Sequence, residues 1–211
     1  MKHRLRPFRR PALAAIAATA AAISFLAAPA HAQGKADVGN LVFDDIPSPE
    51  IQGVKSKNFK PKDWLEVEAG IKIPATNAEQ KKIGFIDQVT VKWHVAFKNP
   101  DGKGFIKLTK TINHINVPIE EEIFSSVYMS PSVLKRITGK DKAGKGDVEA
   151  VGIEVLVNGE KVGIAAQKKP EKWWEAGSLS DQSDKFPLLS KDETPFAMAW
   201  WDRYAEIQKE R

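Results

Sequence analysis

The stretch that most constrains this sequence is Val89–Phe97, read as Val-Thr-Val-Lys-Trp-His-Val-Ala-Phe. Val89, Val91, Trp93, Val95 and Phe97 recur at a spacing of two, with Thr90, Lys92, His94 and Ala96 between them. Successive side chains of a strand point to opposite faces, so the alternation predicts a half-buried strand with one apolar face. A single strand cannot cover that face, and a second layer has to pack on it.

The same pattern returns along the chain. Leu65, Val67, Ala69, Ile71 and Ile73 share a face between Trp64 and Ile73, with Gly70 a candidate bulge. The central strand extends over Phe85–Phe97. Asn99-Pro100-Asp101-Gly102 reads as a tight turn, and Phe105–Asn113 as the return strand of a hairpin. Ile123–Met129 fits another strand. Ser130-Pro131 opens a short helix through Ile137, stopped by Gly139. Val151, Ile153, Val155 and Val157 then alternate up to Asn158-Gly159, and Lys161–Ala166 follows. Asn-Gly between apolar runs is a strong hairpin signal, because both turn positions require positive φ.

Between these elements, Asp44–Pro49 reads as an extended, turn-rich connector and Pro74–Lys82 as a polar connector. Gln167–Thr194 is a long connector. Thr194-Pro195 caps and starts a C-terminal α-helix through about Lys209. Phe196, Trp200, Tyr204 and Ile207 fall on one face of that helix, which is expected to pack back on the strands beside Trp173 or Trp174. Together these signals predict a mainly β chain: an antiparallel, immunoglobulin-like β-sandwich with a short helix and a C-terminal α-helix. A partly open barrel is the alternative. The cysteine pair of an immunoglobulin domain is missing, so the label rests on strand number and spacing.

Residues 1–32 read as a secretory signal peptide. Lys2, Arg4, Arg6, Arg9 and Arg10 precede an Ala-rich run from Ala12 to Ala28, and Ala30-His31-Ala32 supplies the small residues of a cleavage site before Gln33. The competing reading is a retained membrane anchor, for which the apolar run is short. The chain carries 32 Lys+Arg against 27 Asp+Glu, and five of the basic residues lie in the leader, which leaves 27 against 27. The mature chain is therefore expected to be neutral, with no global field toward nucleic acid. A local patch at Lys55, Lys57, Lys60 and Lys62 reads as a solvated edge. The remaining residues 33–211 suit a single β-sandwich domain. With no cysteine, burial alone must hold an exported fold together. No second apolar stretch of spanning length follows the leader, so no integral membrane span is expected after cleavage, and the protein should act in the periplasm or at the cell surface.

Candidate chemistry is sparse. His94 and His114 lie on the two arms of the first hairpin at unequal distances from its turn, so they do not face each other; solvent-facing strand histidines are expected, and no metal site. There is no Gly-x-Ser-x-Gly elbow, and Ser125-Ser126 and Ser178-Leu179-Ser180 read as strand edge and loop. Glu120-Glu121-Glu122 reads as a solvated edge and not a catalytic carboxylate pair. Gly139–Gly146 lacks the strand-to-helix context of a phosphate loop. No catalytic residue, metal ligand or cofactor is expected, and the chain does not read as an enzyme.

The tryptophans carry more. The adjacent pairs Trp173-Trp174 and Trp200-Trp201 cannot each bury both rings on one helix face, so one ring of each pair is expected at the surface. Trp173, Trp174 and Trp201 form the candidate binding surface, for a protein or, alternatively, for a glycan stacked on an exposed ring. The opposing reading packs Trp200 into the sandwich and lays Trp201 over the Trp173 segment.

Phe43-Asp44-Asp45-Ile46-Pro47-Ser48-Pro49-Glu50, followed by Lys62-Asp63-Trp64-Leu65-Glu66-Val67-Glu68, resembles the exported, immunoglobulin-like, type IV pilus-associated proteins of Verrucomicrobia, of the Akkermansia type. The resemblance covers most of the mature chain in outline and carries no functional residues over. It implies a non-enzymatic accessory part of a cell-envelope or pilus-related assembly, with envelope or pilus proteins as partners. In one respect the chain departs from a filament subunit. A pilin keeps its apolar helix after a basic leader ending in Gly, whereas here the apolar run precedes an Ala-x-Ala site.

Overall fold

The computed structural model describes residues 35–50, 57–58 and 60–209. The signal-peptide expectation for residues 1–32 and the lysine at position 55 lie outside the described residues. Ala32–Arg211 make one compact unit. In chain order its elements are β1 (Asp37–Val38), β2 (Val42–Pro47), β3 (Asp63–Lys72), α1 (Ala78–Ile83), β4 (Phe85–Lys98), β5 (Phe105–Pro118) and β6 (Glu122–Met129). After these come α2 (Pro131–Thr138), β7 (Val148–Val157), β8 (Glu160–Ala166), β9 (Ser180–Asp181), β10 (Leu189–Ser190) and β11 (Glu206–Ile207).

The strands form two sheets, antiparallel apart from the short β5–β9 pairing. The first runs β1-β3-β6-β10, with β2 also on β3; the second runs β11-β5-β4-β7-β8, with β9 also on β5. Val89, Val91, Trp93, Val95 and Phe97 of β4 face inward at 0% exposure, onto Leu65, Val67 and Ile71 of β3. The alternation therefore produces the expected sandwich: each sheet covers the apolar face of the other.

Both hairpins form. Gly102 N–H donates to the Asn99 carbonyl at 2.9 Å in the β4–β5 turn. Asn158 and Gly159 take φ of 50° and 81° between β7 and β8, the geometry that Asn-Gly accepts at least cost. Around α2, the Ser130 hydroxyl accepts from Val133 N–H and Gly139 closes the helix in the left-handed region.

Several expectations are corrected. Asp44–Pro47 is not a connector but part of β2, because Asp45 and Ile46 find backbone partners in Leu65 and Trp64. Pro74–Lys82 holds α1, capped by Asn77 and ended by Gly84 at φ 79°. Gly70 makes no bulge; its missing side chain leaves room for the Glu122 carboxylate. The histidines are not solvent-facing. His94 is covered by Trp174, and His114 points into the sandwich.

The largest correction concerns the C-terminus. No α-helix spans 195–209. Ala197 N–H bonds Thr194, Ala199 N–H bonds Phe196, and Arg203 N–H bonds Trp200, all three residues back. Trp200 sits at φ 49° and ψ 42°, a left-handed conformation that ends any right-handed helix. Tertiary contacts override the helical periodicity. Phe196 enters an aromatic slot, Tyr204 and Arg203 reach carboxylates on β3, and β11 pairs with the edge of β5. The tail is thus a strap of turns, joining β10 on one sheet to β11 on the other.

Candidate binding surface

The outward side of the first sheet would ordinarily face water. Glu66 and Glu68 of β3 alternate with the core residues, and Ser126 and Tyr128 of β6 lie opposite them. The strap covers this face, leaving Tyr128 at 0% exposure. Tyr128 donates its hydroxyl to Glu66 at 2.6 Å and accepts from Ser126 at 3.2 Å. Tyr204 donates to Glu68. The Arg203 guanidinium donates to Glu68 at 2.6 Å and lies 3.5 Å over the Phe124 ring. Burial holds the Glu66 carboxyl above its ordinary value, against the lowering effect of Tyr128. Burial likewise holds Lys191 below its ordinary value; its ammonium donates to the Ala197 carbonyl at 3.2 Å and rests over the Tyr204 ring. Each of these groups already has a partner within the cluster, so the chemistry is that of a clamp.

A ladder of rings leads outward from this clamp. Phe196, 2% exposed, stacks on Tyr128 at 5.3 Å and meets Trp64 edge-on at 5.8 Å. Trp200 lies nearly parallel to Phe196 at 6.5 Å. Its ring is 56% exposed, Trp201 is 60% exposed and Met198 is 82% exposed. Left-handed backbone costs a non-glycine residue roughly 1–2 kcal/mol, and here it turns an indole toward solvent. Beside Trp200 lies a groove of about 490 Å³ lined by Ile46, Pro47, Pro49, Glu50, Pro61 and Ala199, among others. Its walls are almost wholly apolar. The Ser48 hydroxyl within it is already engaged, donating to the Lys62 carbonyl and accepting from the Trp64 indole.

The structure separates the three tryptophans of the candidate surface. Trp201 is exposed, as expected, and Trp200 joins it. Trp173 and Trp174 do not form a binding surface: they are 8% and 4% exposed. The outward positions of β4 and β7 carry the small residues Ala96, Ala150 and Gly152, which leave a trough that the two rings fill. Trp174 stacks on His94 at 4.7 Å and meets Trp173 edge-on at 5.5 Å. Beneath it, His94 lies 3.4 Å from Glu154, which also pairs with Lys161. Burial pushes the His94 imidazole down to about 4.

Ser125 and His114 do meet, inside the core. Ser125 donates to His114 Nε2 at 2.9 Å and accepts from the Trp93 indole at 3.2 Å, while His114 Nδ1–H donates to the Ala205 carbonyl at 3.2 Å. With both side chains buried, this is a structural tether for the strap and holds no accessible nucleophile. Burial pushes His114 down to about 4. Among the described residues no group of three or more His, Cys, Asp or Glu is arranged to hold a metal. No described helix is long and apolar enough to cross a membrane. Sequence reasoning missed Glu66, Tyr128 and Lys191, and it placed Phe196 at a packed position but on a helix that does not form. The one signal for Glu66 and Tyr128 was that a large polar and a large aromatic side chain occupied outward strand positions.

Comparison with known proteins agrees with this architecture. A crystal structure from Akkermansia muciniphila is similar at 36% identity, with a TM-score of 0.77, over 84% of this chain and 94% of that one. No curated protein sequence matches. One family model matches residues 27–211, a span that takes in both sheets and the strap, and the chain belongs to that family.

Proposed function

We propose that this chain is an exported, non-enzymatic accessory protein that binds a protein partner of a cell-envelope assembly through the Trp200 surface. The observation that carries the reading is the outward-facing Trp200, held in left-handed backbone beside an apolar groove. Local strain that aims a large apolar ring at water is retained where the ring has something to contact. Tryptophan is also the side chain most enriched among residues that dominate binding energy. The resemblance to immunoglobulin-like, pilus-associated proteins supports an envelope partner, and the Ala-x-Ala site after the apolar run supports an accessory role over that of a filament subunit. Crosslinking in intact cells followed by recovery of the chain tests this. A partner recovered with wild type and lost with Trp200→Asn supports the reading, and recovery of free monomer alone refutes it.

Glycan binding is the second reading, favoured by the adjacent exposed rings of Trp200 and Trp201. It is the weaker one, because sugar hydroxyls need polar partners beside the stacking ring and the groove offers few. Glycan-array binding that disappears in Trp201→Ala at unchanged melting temperature would support it, and a blank array would remove it.

A further inference from the structure

Residues 167–188 cross the outward face of the second sheet with little regular structure, one 3-10 turn at Trp173–Glu175 and the short β9. Stretches of this length are uncommon in a compact domain and characteristic of lids and binding loops. Both ends are fastened. Gln167 N–H donates to the Val151 carbonyl at 3.0 Å. At the far end Gln182 N–H donates to the Lys107 carbonyl at 3.0 Å, and the Ser183 hydroxyl accepts from Thr109 N–H at 2.8 Å. The middle is held differently. The backbone N–H groups of Trp173, Glu175, Ala176 and Leu179 bond carbonyls inside the segment. Among the described residues, one hydrogen bond ties residues 168–179 to the sheet, from the Lys107 ammonium to the Trp174 carbonyl at 3.2 Å. Lys168 adds a loose ion pair to Glu149 at 3.7 Å.

The middle therefore depends on two rings in the trough, and those rings are incompletely satisfied. Trp173 and Trp174 both bury their indole N–H groups with no acceptor among the described residues. The other inward indoles are paired: Trp93 donates to Ser125 and Trp64 to Ser48. A buried donor without an acceptor has given up its bond to water, and lifting the ring restores it. That gain offsets part of the apolar burial lost when the rings leave the trough. Closed and open states of this segment are thus closer in free energy than the burial of two indoles alone would make them.

We infer that residues 168–179 are a lid, hinged at its two fastened ends and latched by Lys107, that lifts off the second sheet as a unit while the sandwich stays folded. Opening bares the floor of Ala96, Ala150 and Gly152 and frees two indoles together with their N–H groups. It also uncovers His94, which lies under Trp174 with Thr109 at 3.3 Å and Glu154 at 3.4 Å. The open lid combines ring-stacking surface with hydrogen-bond donors, a chemistry that the closed face keeps buried. Trp200 stands on the strap over the first sheet, so the lid is independent of the proposed function.

Hydrogen exchange of the indole N–H groups, followed by NMR on the full chain expressed for export, tests the lid. Trp173 and Trp174 should exchange at one shared rate, at least about tenfold faster than Trp93, which is released only when the sandwich unfolds. Low urea should speed Trp93 more than the pair, because an opening lid exposes less surface than global unfolding. Lys107→Met keeps the aliphatic stem and removes the latch, so it should speed the pair further and leave Trp93 unchanged. Diethyl pyrocarbonate gives a second reading. His94 should be carbethoxylated and His114, 1% exposed, spared, with Lys107→Met accelerating the first alone. Trp173 and Trp174 protected as long as Trp93 would overturn the inference, as would unchanged exchange of the pair in Lys107→Met or equal modification of the two histidines.

Discussion

A methyl group placed at Gly152 drives a wedge under Trp174. A Cβ built there falls 2.1 Å from Trp174 Cζ3 and 2.5 Å from Cε3, whereas packed carbon atoms rest about 3.5–4.0 Å apart. The indole has to lift by more than ~1 Å, and its surroundings resist: it is stacked on His94, braced by Trp173 and 4% exposed. Overpacking of this kind costs about 1–3 kcal/mol, and complete ejection of a buried aromatic about 3–5 kcal/mol. The gain from replacing a strand glycine by alanine is only about 0.5–1 kcal/mol. Gly152→Ala should therefore destabilise the chain by about 1–3 kcal/mol, which for a domain of this size lowers the melting temperature by roughly 2–12 °C. Thermal melting by circular dichroism reads the loss, and a red shift of tryptophan emission reports the displaced ring. In a Trp174→Ala background the three closest contacts of the wedge are gone, so the same substitution should be neutral or slightly stabilising, and the difference is a direct coupling between the two positions. Unchanged melting of Gly152→Ala in the wild-type background would refute the trough.

Three further expectations follow from the strap and the buried histidines. Phe196→Ala should cost about 3–5 kcal/mol in denaturant unfolding, while Trp200→Asn should stay within about 1 kcal/mol of wild type; equal losses would restore the packed α-helix. Tyr204→Phe should cost about 1–3 kcal/mol, because it withdraws the hydroxyl that donates to the Glu68 carboxylate, and a urea midpoint that does not move would count against the clamp. Stability should fall on acidification from pH 6.5 toward pH 4, because the unfolded chain protonates His94 and His114 near 6.5 and the folded chain only near 4. Glu66 works in the opposite direction, since its folded value is raised and its contribution is lost as pH rises. The two histidines outweigh it, so unfolding free energy that increases between pH 6.5 and pH 5 would contradict this balance.

The sandwich was legible in the sequence because its strands obey local rules. Val89–Phe97 alternates without a break, Asn158-Gly159 demands one turn geometry, and Ser130-Pro131 to Gly139 carries both ends of a helix. The C-terminal segment was misread because Phe196, Trp200, Tyr204 and Ile207 fit helical spacing, yet their partners come from distant strands. Phe196 answers to Trp64 and Tyr128, Tyr204 to Glu68, and Ile207 to the edge opposite His114. Periodicity records which residues want burial and not which surface supplies it. Trp173 and Trp174 show the same limit. Two adjacent rings look unable to share one face until Ala96, Ala150 and Gly152 from two strands open a trough wide enough for both. Glu66 and Tyr128 stayed hidden because nothing local says that an outward strand face will be covered.

The Trp200 surface, exposed beside an apolar groove, is where we propose that this chain meets a protein partner. A photo-crosslinking residue in place of Met198, the most exposed of the large apolar side chains among the described residues, tests it in intact cells, with Glu160 at the start of β8 as the control position. A discrete protein adduct is expected at Met198, lost when Trp200→Asn is added, and none at Glu160. An absent adduct at Met198, or the same adduct from both positions, would contradict it.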